Sequence, residues 1–498
     1  MFRIKPPWSG YVLSFLVGCS LPFAFAPFSL FPLAVIALAF LLALWQNVSP
    51  WTAFWRGLFF GIGMFGVGTS WIYVSLSQFG HIPFLPSLLV TFLFILLMAS
   101  YLALLGGGLN FFFPNAHHTK WLLGFPSGWV LIEWLRGWFL TGFPWLSIGY
   151  SQIDSPLSGF APLIGLYGIT GFVALSAGLL VAFYQNKHLV YIYLPCLFLL
   201  WGGGKVLSQV EWTESSNHPP LKVALLQGNI PQDFKWLQNY QLPTLDRYVE
   251  LTQAHQNVDL IVWPETAIPV FYHQVPELID YLNEQHRMHQ LDFLIGIPVL
   301  NEKKEYFNAV MSISHHPGFY YKRHLVPFGE YIPFYAFLGK FLQLLDVPMS
   351  EFSAGADRQE NLYSSGQYIG ISICYEDVVS ELVRSTLPEA TLLVNVSNDA
   401  WFGHSIAPHQ HLEIARMRAL ESGRYLLRAT NTGISAIIDP KGRIVAQAPQ
   451  FQIDALKGEV QAYQGLTPYI HFGDQWIIIF FFFTGLTGKL FEFQVKRK

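Results

Sequence analysis

The chain has 498 residues, of which 52% are hydrophobic, 17% are aromatic and only 12% are charged. An ordinary soluble domain has about 25% charged residues, so this composition excludes a single soluble globule. The net charge of −3 at pH 7 gives no electrostatic reason to expect a nucleic acid partner. The cysteines Cys19, Cys196 and Cys374 are too few and too scattered for a disulfide framework or a cysteine-rich metal cluster.

Apolar runs dominate the amino-terminal part of the chain and return close to its carboxyl end. A membrane-spanning helix needs about 20 predominantly apolar residues, and eight segments come near this requirement. They are residues 8–25, 29–46, 57–76, 85–108, 122–139, 159–184, 189–204 and 475–492. The sequence therefore predicts an integral membrane helical bundle of about eight spans, interrupted before the last span by a more polar domain.

The basic residues predict how these spans are oriented, because Lys and Arg concentrate in cytoplasmic loops. With the amino terminus inside, the inner loops and the tail carry Arg3, Lys5, Arg56, Lys120, Lys187, Lys496, Arg497 and Lys498. The outer side has almost nothing basic except Arg136. The predicted parts are a membrane domain at 1–205, a periplasmic domain at 206–472, and a final span with a cytoplasmic tail at 473–498. This arrangement indicates a multi-pass protein of a bacterial inner membrane.

In the polar domain, apolar runs of strand length alternate with segments whose residue pattern predicts a helix. The runs are residues 221–227, 259–265, 292–298, 307–314, 368–374, 391–397 and 434–440, and the clearest helices are 276–290 and 410–424. Nearly continuous apolar strands indicate sheets that are covered on at least one face. The alternation predicts an α/β domain. Since no phosphate loop and no Gly-x-Gly-x-x-Gly follows a strand, no nucleotide cofactor is predicted.

Three histidines, His404, His409 and His411, cluster before the second of these helices. A metal site is one interpretation of the cluster, but no Glu-bearing zinc motif accompanies it. We therefore predict a solvated or hydrogen-bonded loop role for these histidines. Neither a metal nor any other cofactor is expected.

Three reactive side chains stand at the edges of apolar strands, in the order Glu265, Lys322 and Cys374. Each of them has a structural interpretation when taken alone. Cys374 fits a buried strand-end thiol, Glu265 after Trp-Pro fits a helix cap, and Lys322 beside Arg323 fits a solvated basic pair. Their joint occurrence in this order instead favours covalent catalysis.

The sequence motifs around these residues resemble those of a known family. They are WPET (263–266), YYKRHLVPFGEY (320–331), ICYED (373–377), NVSNDAWFG (395–403), EWLRGWFLTGFPW (133–145), QGNIPQDFKW (227–236), HLEIARMRALESGRY (411–425) and RATNTGISAIIDP (428–440). This set resembles the nitrilase, or carbon–nitrogen hydrolase, superfamily, and more narrowly its membrane-embedded branch, the apolipoprotein N-acyltransferases. The resemblance covers nearly the whole chain. It implies a nitrilase-like catalytic domain, expected to be an α-β-β-α sandwich.

The three side chains have complementary chemical roles. The reactive form of a cysteine is its thiolate, and a free thiol titrates near pH 8.5. Glu265 can take that proton as general base and later return it as general acid. Lys322, as a fixed cation, can stabilise the oxyanion that forms when a carbonyl is attacked. The product is a Cys374 thioester, the covalent intermediate of a two-step transfer.

The resemblance also implies the substrates. The acyl donor is a phospholipid, with phosphatidylethanolamine the expected one, and the acceptor is the α-amino group of the diacylglyceryl-cysteine that begins an apolipoprotein. One rival interpretation is a membrane-anchored carbon–nitrogen hydrolase (amidase), in which water resolves the thioester. Another is a non-catalytic membrane scaffold or transporter. The triad does not distinguish the hydrolase from the acyltransferase. An intact triad and the scarcity of ionisable residues in the spans argue against a scaffold or transporter.

Further residues are carried over from the family's pattern as supporting residues. Glu330 is expected to orient the lysine or to assist the general base, and Tyr375 and Glu376 are expected to shape the pocket of the nucleophile. Trp236 corresponds to a family aromatic linked to substrate positioning. The structural alternatives are a buried strut for Glu330 and core packing for Trp236.

Two features on the membrane side add hypotheses. Glu133 and Arg136 lie three residues apart in an apolar helix, and ionisable groups within a span are functional candidates. They either pair with each other, or Arg136 binds the phosphate of the donor. The segment Pro333–Met349, rich in aromatic residues and leucine, is either an amphipathic element that lies on the bilayer and gates the pocket or a core helix.

Overall fold

The computed structural model describes residues 8–115, 118–332 and 352–497. The segment Pro333–Met349, for which a gate or a core helix was expected, therefore lies outside the described residues. The chain divides into two compact units. One comprises Met1–Tyr73, Pro83–Val210 and His471–Lys498, and the other comprises Val74–Ile82 and Glu211–Ile470.

The first unit consists of apolar helices with short connections. The helices are Ser9–Ser20, Pro32–Leu44, Pro50–Gly68, Trp71–Val74, Phe84–Phe112, Phe125–Trp138, Ala161–Gln185, Val190–Leu207 and Gln475–Arg497. Two of them, Pro32–Leu44 and Pro50–Gly68, begin with proline, which lacks the N–H that a first helical turn leaves unsatisfied. At Pro50, the preceding Ser49 completes the start of the helix, because its hydroxyl accepts a hydrogen bond of 3.1 Å from the Thr52 N–H.

Close helix packing in this unit depends on small residues. At Gly57 and Gly61, which face the helix Phe84–Phe112, an added Cβ would lie 2.3 Å from the Leu102 carbonyl oxygen and 2.6 Å from the Ala99 Cα. Such contacts bring two backbones together, as is typical of helix pairs in membranes. The helix at the carboxyl end packs in the same unit, where Ile477 and Phe481 join a buried apolar cluster.

Four helical stretches are long and apolar enough to cross a membrane: Phe84–Phe112, Pro156–Gln185, Lys187–Leu207 and Gln475–Phe493. A fifth follows if Pro50–Gly68 and Trp71–Phe79, bent by 50°, form one span. Ser9–Ala24 and Pro32–Leu44 are shorter apolar helices. Length and composition of the described residues thus support several membrane-spanning helices at predicted positions, while the predicted total of eight goes beyond them.

The second unit contains two six-stranded sheets, with strand orders β13-β2-β3-β4-β5-β6 and β12-β11-β10-β9-β8-β7. A short pair, β1 with β14, lies apart from them. The strands are β1 Glu214–Ser215, β2 Leu221–Gln227, β3 Leu260–Val262, β4 Asp292–Leu300, β5 Tyr306–Ile313, β6 Gly318–Tyr321, β7 Leu362–Ser364, β8 Gln367–Ile373, β9 Leu392–Ser397, β10 Leu426–Thr430, β11 Ala436–Ile438, β12 Ile444–Gln447, β13 Asp454–Val460 and β14 Tyr463–Gln464.

The two sheets face each other across one apolar core. Val223 and Val262 of the first sheet and Ile371 and Val394 of the second belong to this buried cluster. Helices cover the outer faces, with residues of Gln238–Gln253 and Pro276–His289 packed on the first sheet and residues of Ser380–Arg384 and Ala407–Ser422 on the second. These layers form the expected α-β-β-α sandwich, and they explain why its central strands are apolar on both faces.

Candidate active site

The sequence-predicted triad lies at the ends of strands from both sheets. Glu265 follows β3 and Lys322 follows β6 in the first sheet, and Cys374 follows β8 in the second. β3 runs parallel to its neighbours β2 and β4, and β8 runs parallel to β9. In α/β folds the carboxyl ends of parallel strands are where binding sites form, and the side chains that follow these ends meet there.

The Glu265 carboxylate is buried, and hydrogen bonds from both sheets hold it. Its Oε1 accepts a hydrogen bond of 2.7 Å from Asn308 Nδ2 and lies 3.4 Å from Lys322 Nζ. Its Oε2 accepts a hydrogen bond of 2.8 Å from the backbone N–H of Asn398. Glu265 lies in a turn with no helix beginning at it, so the helix-cap alternative is wrong. The carboxylate is aimed inward and fixed from several directions.

Lys322 is a buried cation held between two carboxylates. Its Nζ lies 2.7 Å from Glu330 Oε1 and 3.4 Å from Glu265 Oε1, and its exposed fraction is 1%. Burial alone would lower the pKa of Lys322, but the charges of Glu330 and Glu265 outweigh it and raise that pKa above its ordinary value. Glu330 is itself fixed, because its Oε2 accepts a hydrogen bond of 2.7 Å from the Val326 N–H.

Cys374 has a backbone conformation that favours glycine, with a φ of +51°. Its carbonyl oxygen accepts a hydrogen bond of 3.2 Å from Asn395 Nδ2 and lies 3.3 Å from His411 Nε2. Such left-handed residues are uncommon outside glycine and persist where surrounding contacts hold them. Burial and the charge of Glu265 raise the pKa of the Cys374 thiol, while Lys322 opposes this shift. The resting thiol is therefore protonated at neutral pH and needs a base.

Glu376 connects the loop that carries Lys322 to the turn that carries Cys374. It is fully buried, and it accepts hydrogen bonds from the backbone N–H groups of Ile373 at 2.8 Å and Arg323 at 2.6 Å, and from the Tyr320 hydroxyl at 3.0 Å. One carboxylate thus contacts both the residue before Cys374 and the residue after Lys322. The neighbouring Tyr375 is buried beside it.

The sequence analysis missed a buried charge network behind Cys374. His411 Nδ1 lies 3.0 Å from Asp399 Oδ1, and its Nε2 lies 3.0 Å from Asp377 Oδ1. Arg428 pairs with the same carboxylates, at 3.2 Å from Asp377 Oδ2 and 3.0 Å from Asp399 Oδ2. Burial and Arg428 lower the pKa of His411, but the two carboxylates outweigh them and raise it to about 9. His411 is therefore an imidazolium at neutral pH.

This placement corrects the loop role expected for the three histidines. His409 and His411 lie within the helix Ala407–Ser422, and His411 is buried with an exposed fraction of 1%. His404 alone stands in an exposed position of the loop before that helix. Across residues 8–115, 118–332 and 352–497, no group of three or more His, Cys, Asp or Glu side chains has an arrangement that could hold a metal ion.

Comparison with known proteins decides the family. Residues 17–179 match the model of the apolipoprotein N-acyltransferase N-terminal domain, and residues 222–469 match that of carbon-nitrogen hydrolase. The apolipoprotein N-acyltransferase of Methylococcus capsulatus is 44% identical over 473 residues, which cover 93% of this chain and 92% of that protein. Its counterpart in Nitrosomonas europaea is 43% identical over 499 residues, 98% of each chain. This chain belongs to the apolipoprotein N-acyltransferase family.

The two predicted substrate-binding residues, Trp236 and Arg136, differ in their exposure to solvent. Trp236 is 51% exposed, so the core-packing alternative is wrong for it. Arg136 belongs to the first unit, is buried, and donates hydrogen bonds to the carbonyl oxygens of Phe143 at 2.5 Å and Trp145 at 2.6 Å. Glu133 accepts a hydrogen bond of 2.9 Å from the Ile148 N–H. These contacts favour a structural role for both ionisable residues, in holding the backbone that follows their helix.

A second lysine, Lys235, also contacts Glu265. Its Nζ donates a hydrogen bond of 3.2 Å to the backbone carbonyl oxygen of Glu265, and its exposed fraction is 3%. The sequence analysis included Lys235 in the QGNIPQDFKW motif but assigned it no role. The available signal was its position beside Trp236 in a word shared with the family.

Proposed function

We propose that this protein transfers an acyl chain from a phospholipid, through a thioester on Cys374, to the free α-amino group of the amino-terminal diacylglyceryl-cysteine of apolipoproteins. Family membership over nearly the whole chain supports this activity. The observation that carries the assignment of residues is the Lys322 ammonium, which is held between Glu265 and Glu330 and lies close enough to Cys374 to act on its charge. A buried cation, a fixed carboxylate and a protonated thiol suit acyl transfer at a carbonyl carbon.

In the first half-reaction, Cys374 Sγ attacks the ester carbonyl carbon of the donor while Glu265 takes the thiol proton. Lys322 stabilises the negative charge that develops on the carbonyl oxygen. The new S–C bond forms, and the C–O bond to the glycerol breaks. Glu265 passes the proton to the departing oxygen, so a lysophospholipid leaves and the thioester remains.

In the second half-reaction, the acceptor amine attacks the thioester carbonyl. The N–C bond forms, the C–S bond breaks, and Glu265 carries the proton that the amine loses back to Cys374 Sγ. The product is an amide, which is more stable than the thioester. Because the pKa of Cys374 is raised by burial and by the charge of Glu265, the released sulfur is reprotonated and the resting thiol is restored.

The supporting residues have proposed positioning roles. Glu330 fixes the orientation of Lys322, and Glu376 holds the lysine loop against the turn of the nucleophile. Tyr375 shapes the pocket beside Cys374. Trp236, exposed next to Lys235, positions the substrate.

We place the protein in a bacterial inner membrane, with residues 1–205 as the membrane domain, 206–472 as the periplasmic catalytic domain and 473–498 as the last span and cytoplasmic tail. The distribution of basic residues between loops supports this orientation. The proposed spans are Ser9–Ala24, Pro32–Leu44, the bent pair Pro50–Gly68 with Trp71–Phe79, Phe84–Phe112, Phe125–Trp138, Pro156–Gln185, Lys187–Leu207 and Gln475–Phe493. Phosphatidylethanolamine is the proposed donor.

The intact mass of the purified full-length protein tests the proposal. After incubation with phosphatidylethanolamine vesicles, the wild type should gain the mass of one acyl chain, and the Cys374→Ala variant should gain none. A diacylglyceryl-cysteine peptide should discharge the adduct and appear as its N-acyl product. Discharge by water at the same rate would instead indicate a hydrolase. An unchanged mass with every lipid tried would contradict the enzymatic function.

A further inference from the structure

Lys235 is a buried ammonium whose hydrogen-bonding capacity is mostly unused. An ammonium has three N–H donors, and Lys235 Nζ uses one of them on the Glu265 carbonyl oxygen at 3.2 Å. Within residues 8–115, 118–332 and 352–497, the structure gives it no other hydrogen bond and no ion pair. Burying a cation with so few partners is costly, which indicates that a ligand completes its surroundings.

The local chain directs this lysine inward against the usual preference of its type. Residues 232–236 form a turn in which the Lys235 N–H contacts the Pro231 carbonyl oxygen at 3.1 Å. Phe234 and Trp236, on either side, are 40% and 51% exposed, whereas Lys235 is 3% exposed. A lysine between two aromatic residues would ordinarily be the exposed one. The turn therefore presents a charge to the interior of the site.

The reactive groups of the site lie within electrostatic reach of Lys235. Burial lowers the pKa of Lys235 to about 8, and the charges of Glu265 and Cys374 act in the opposite direction. At pH 7 the amine is mostly protonated. Lys322 differs from it, because two carboxylates already contact its Nζ.

The ligand that fits such a donor is a negatively charged oxygen. An ester substrate offers one at its carbonyl, where charge develops as Cys374 attacks, and a phospholipid offers another at its phosphate. Lys235 is anchored on Glu265, the residue that exchanges protons with the nucleophile in the proposed function. We propose that Lys235 binds the acyl carbonyl oxygen of the donor and stabilises the negative charge that develops on it, as a second cation beside Lys322. This inference rests on the proposed function.

The test is the single-turnover rate at which Cys374 becomes acylated, measured by intact mass on the full-length protein. Two donors are compared: phosphatidylethanolamine vesicles and a p-nitrophenyl fatty acyl ester, which has no phosphate. K235M should slow acylation about 100-fold with both donors, as expected for the loss of one oxyanion donor. K235R should recover part of the rate. The control is K222M, which removes an exposed lysine of β2 in the first sheet. This variant should be acylated at the wild-type rate.

The pH dependence gives a second readout that a merely structural lysine would not move. The wild-type kcat/KM for acylation should fall as pH rises through about 8, because Lys235 beside Glu265 and Cys374 loses its proton. In K235R this fall should be absent, since a guanidinium remains charged. If K235M does not fold, K235R and the pH profile still decide the question.

Other results would overturn the inference. Slowing confined to phosphatidylethanolamine would show that Lys235 holds the phosphate, and wild-type rates in K235M would show that it contacts no reacting oxygen. A wild type that gains no acyl adduct from either donor would instead contradict the proposed function, so the two failures are distinguishable.

Discussion

At the scale of single residues, the Lys322 side chain depends on Glu330 for both its charge and its position. Glu330 Oε1 is the closer of its two carboxylate partners, at 2.7 Å against 3.4 Å for Glu265. In the proposed reaction Glu265 exchanges protons, so it is not a constant counter-charge. We therefore infer that Glu330 is the partner that keeps Lys322 charged throughout the proposed catalytic cycle.

We expect Glu330→Gln to slow Cys374 acylation by about 10- to 100-fold, because a neutral amide no longer supports the raised pKa of Lys322. The donor KM should change little. Single-turnover acylation at several pH values measures the effect. The same exchange at the exposed Glu360, E360Q, is the control, and equal rates in E330Q and E360Q would contradict the positioning role.

The sequence indicated the predicted triad of Glu265, Lys322 and Cys374 because these residues stand at strand ends within long motifs that resemble those of the family. It could not indicate the partners that hold them. Glu265 is fixed by Asn308 and by the N–H of Asn398, which is 133 residues away in the chain and directly follows β9 of the other sheet. Such contacts depend on which strands become neighbours, and local sequence does not encode that pairing. Lys235 was overlooked for the same reason.

At the scale of elements, β4 supports the loop that carries Glu265. An added Cβ at Gly296 would lie 2.2 Å from the Pro264 carbonyl oxygen and 2.6 Å from the Thr266 nitrogen. Both are backbone atoms, which cannot rotate away as a side chain can. Gly296 therefore allows the strand and the loop to approach closely enough for the carboxylate to reach its partners.

Gly296→Ala should lower the melting temperature and slow acylation at least 10-fold, because the Glu265 loop must shift to admit the methyl group. Gly318→Ala is the matched control in β6. Its Cβ would meet only the Leu362 side chain, at 3.3 Å. Thermal unfolding and single-turnover acylation measure both variants, and similar losses in the two would refute the specific role of the β4 contact.

The helix Ala407–Ser422 contributes a pH-dependent element through His411. The pKa of His411 is about 9 in the folded protein and about 6.5 when unfolded. His411 therefore adds about 3 kcal/mol to the free energy of unfolding below pH 6.5. This contribution is lost as pH rises through about 9, because the folded site then releases the proton.

We expect the melting temperature of the wild type to fall between pH 6.5 and 9.5 more than that of His411→Gln, which lacks the titrating group. The exposed His404 provides the control, since H404Q should follow the wild-type dependence. Scanning calorimetry across this pH range makes the comparison. Parallel curves for wild type and H411Q would show that the network does not depend on the His411 proton.

The strands that sequence analysis recognised are the central apolar ones, such as β2 and β9, whose residues are almost all buried. It missed edge strands such as β12 and β13, where exposed and partly exposed positions predominate. An edge strand is stabilised by its single neighbour and its residues resemble loop residues. β10 was also missed, because its Arg428 is a buried partner of distant carboxylates.

At the scale of the whole molecule, the spans were predicted best where the helix is long. Phe84–Phe112 and Gln475–Phe493 meet the length and composition of a spanning helix, and both were expected. Pro32–Leu44 and Phe125–Trp138 are shorter, at 13 and 14 residues. Composition alone cannot show whether such a helix crosses a bilayer.

Reporter fusions measure the proposed orientation. Alkaline phosphatase, active only outside the cytoplasm, should be active when fused after His218 and inactive when fused after Lys120 or Lys187. The expected contrast is at least 10-fold in activity per fusion protein, and the basic loops are its physical cause. A fluorescent protein that matures only in the cytoplasm should give the opposite pattern, and activity after Lys187 would overturn the count of seven spans before the catalytic domain.

The hydrogen bond from the Asn398 N–H to Glu265 Oε2 links the ends of the two sheets, and so does the proposed proton transfer between Cys374 and Glu265. The proposed reaction centre thus lies between the sheets and belongs to neither of them alone. A misplacement of about 1 Å can cost about 100-fold in rate. A small displacement of one sheet relative to the other would therefore abolish acylation while every strand remains folded. The acylation rate is thus a more sensitive measure of how the two sheets pack than any measure of secondary structure.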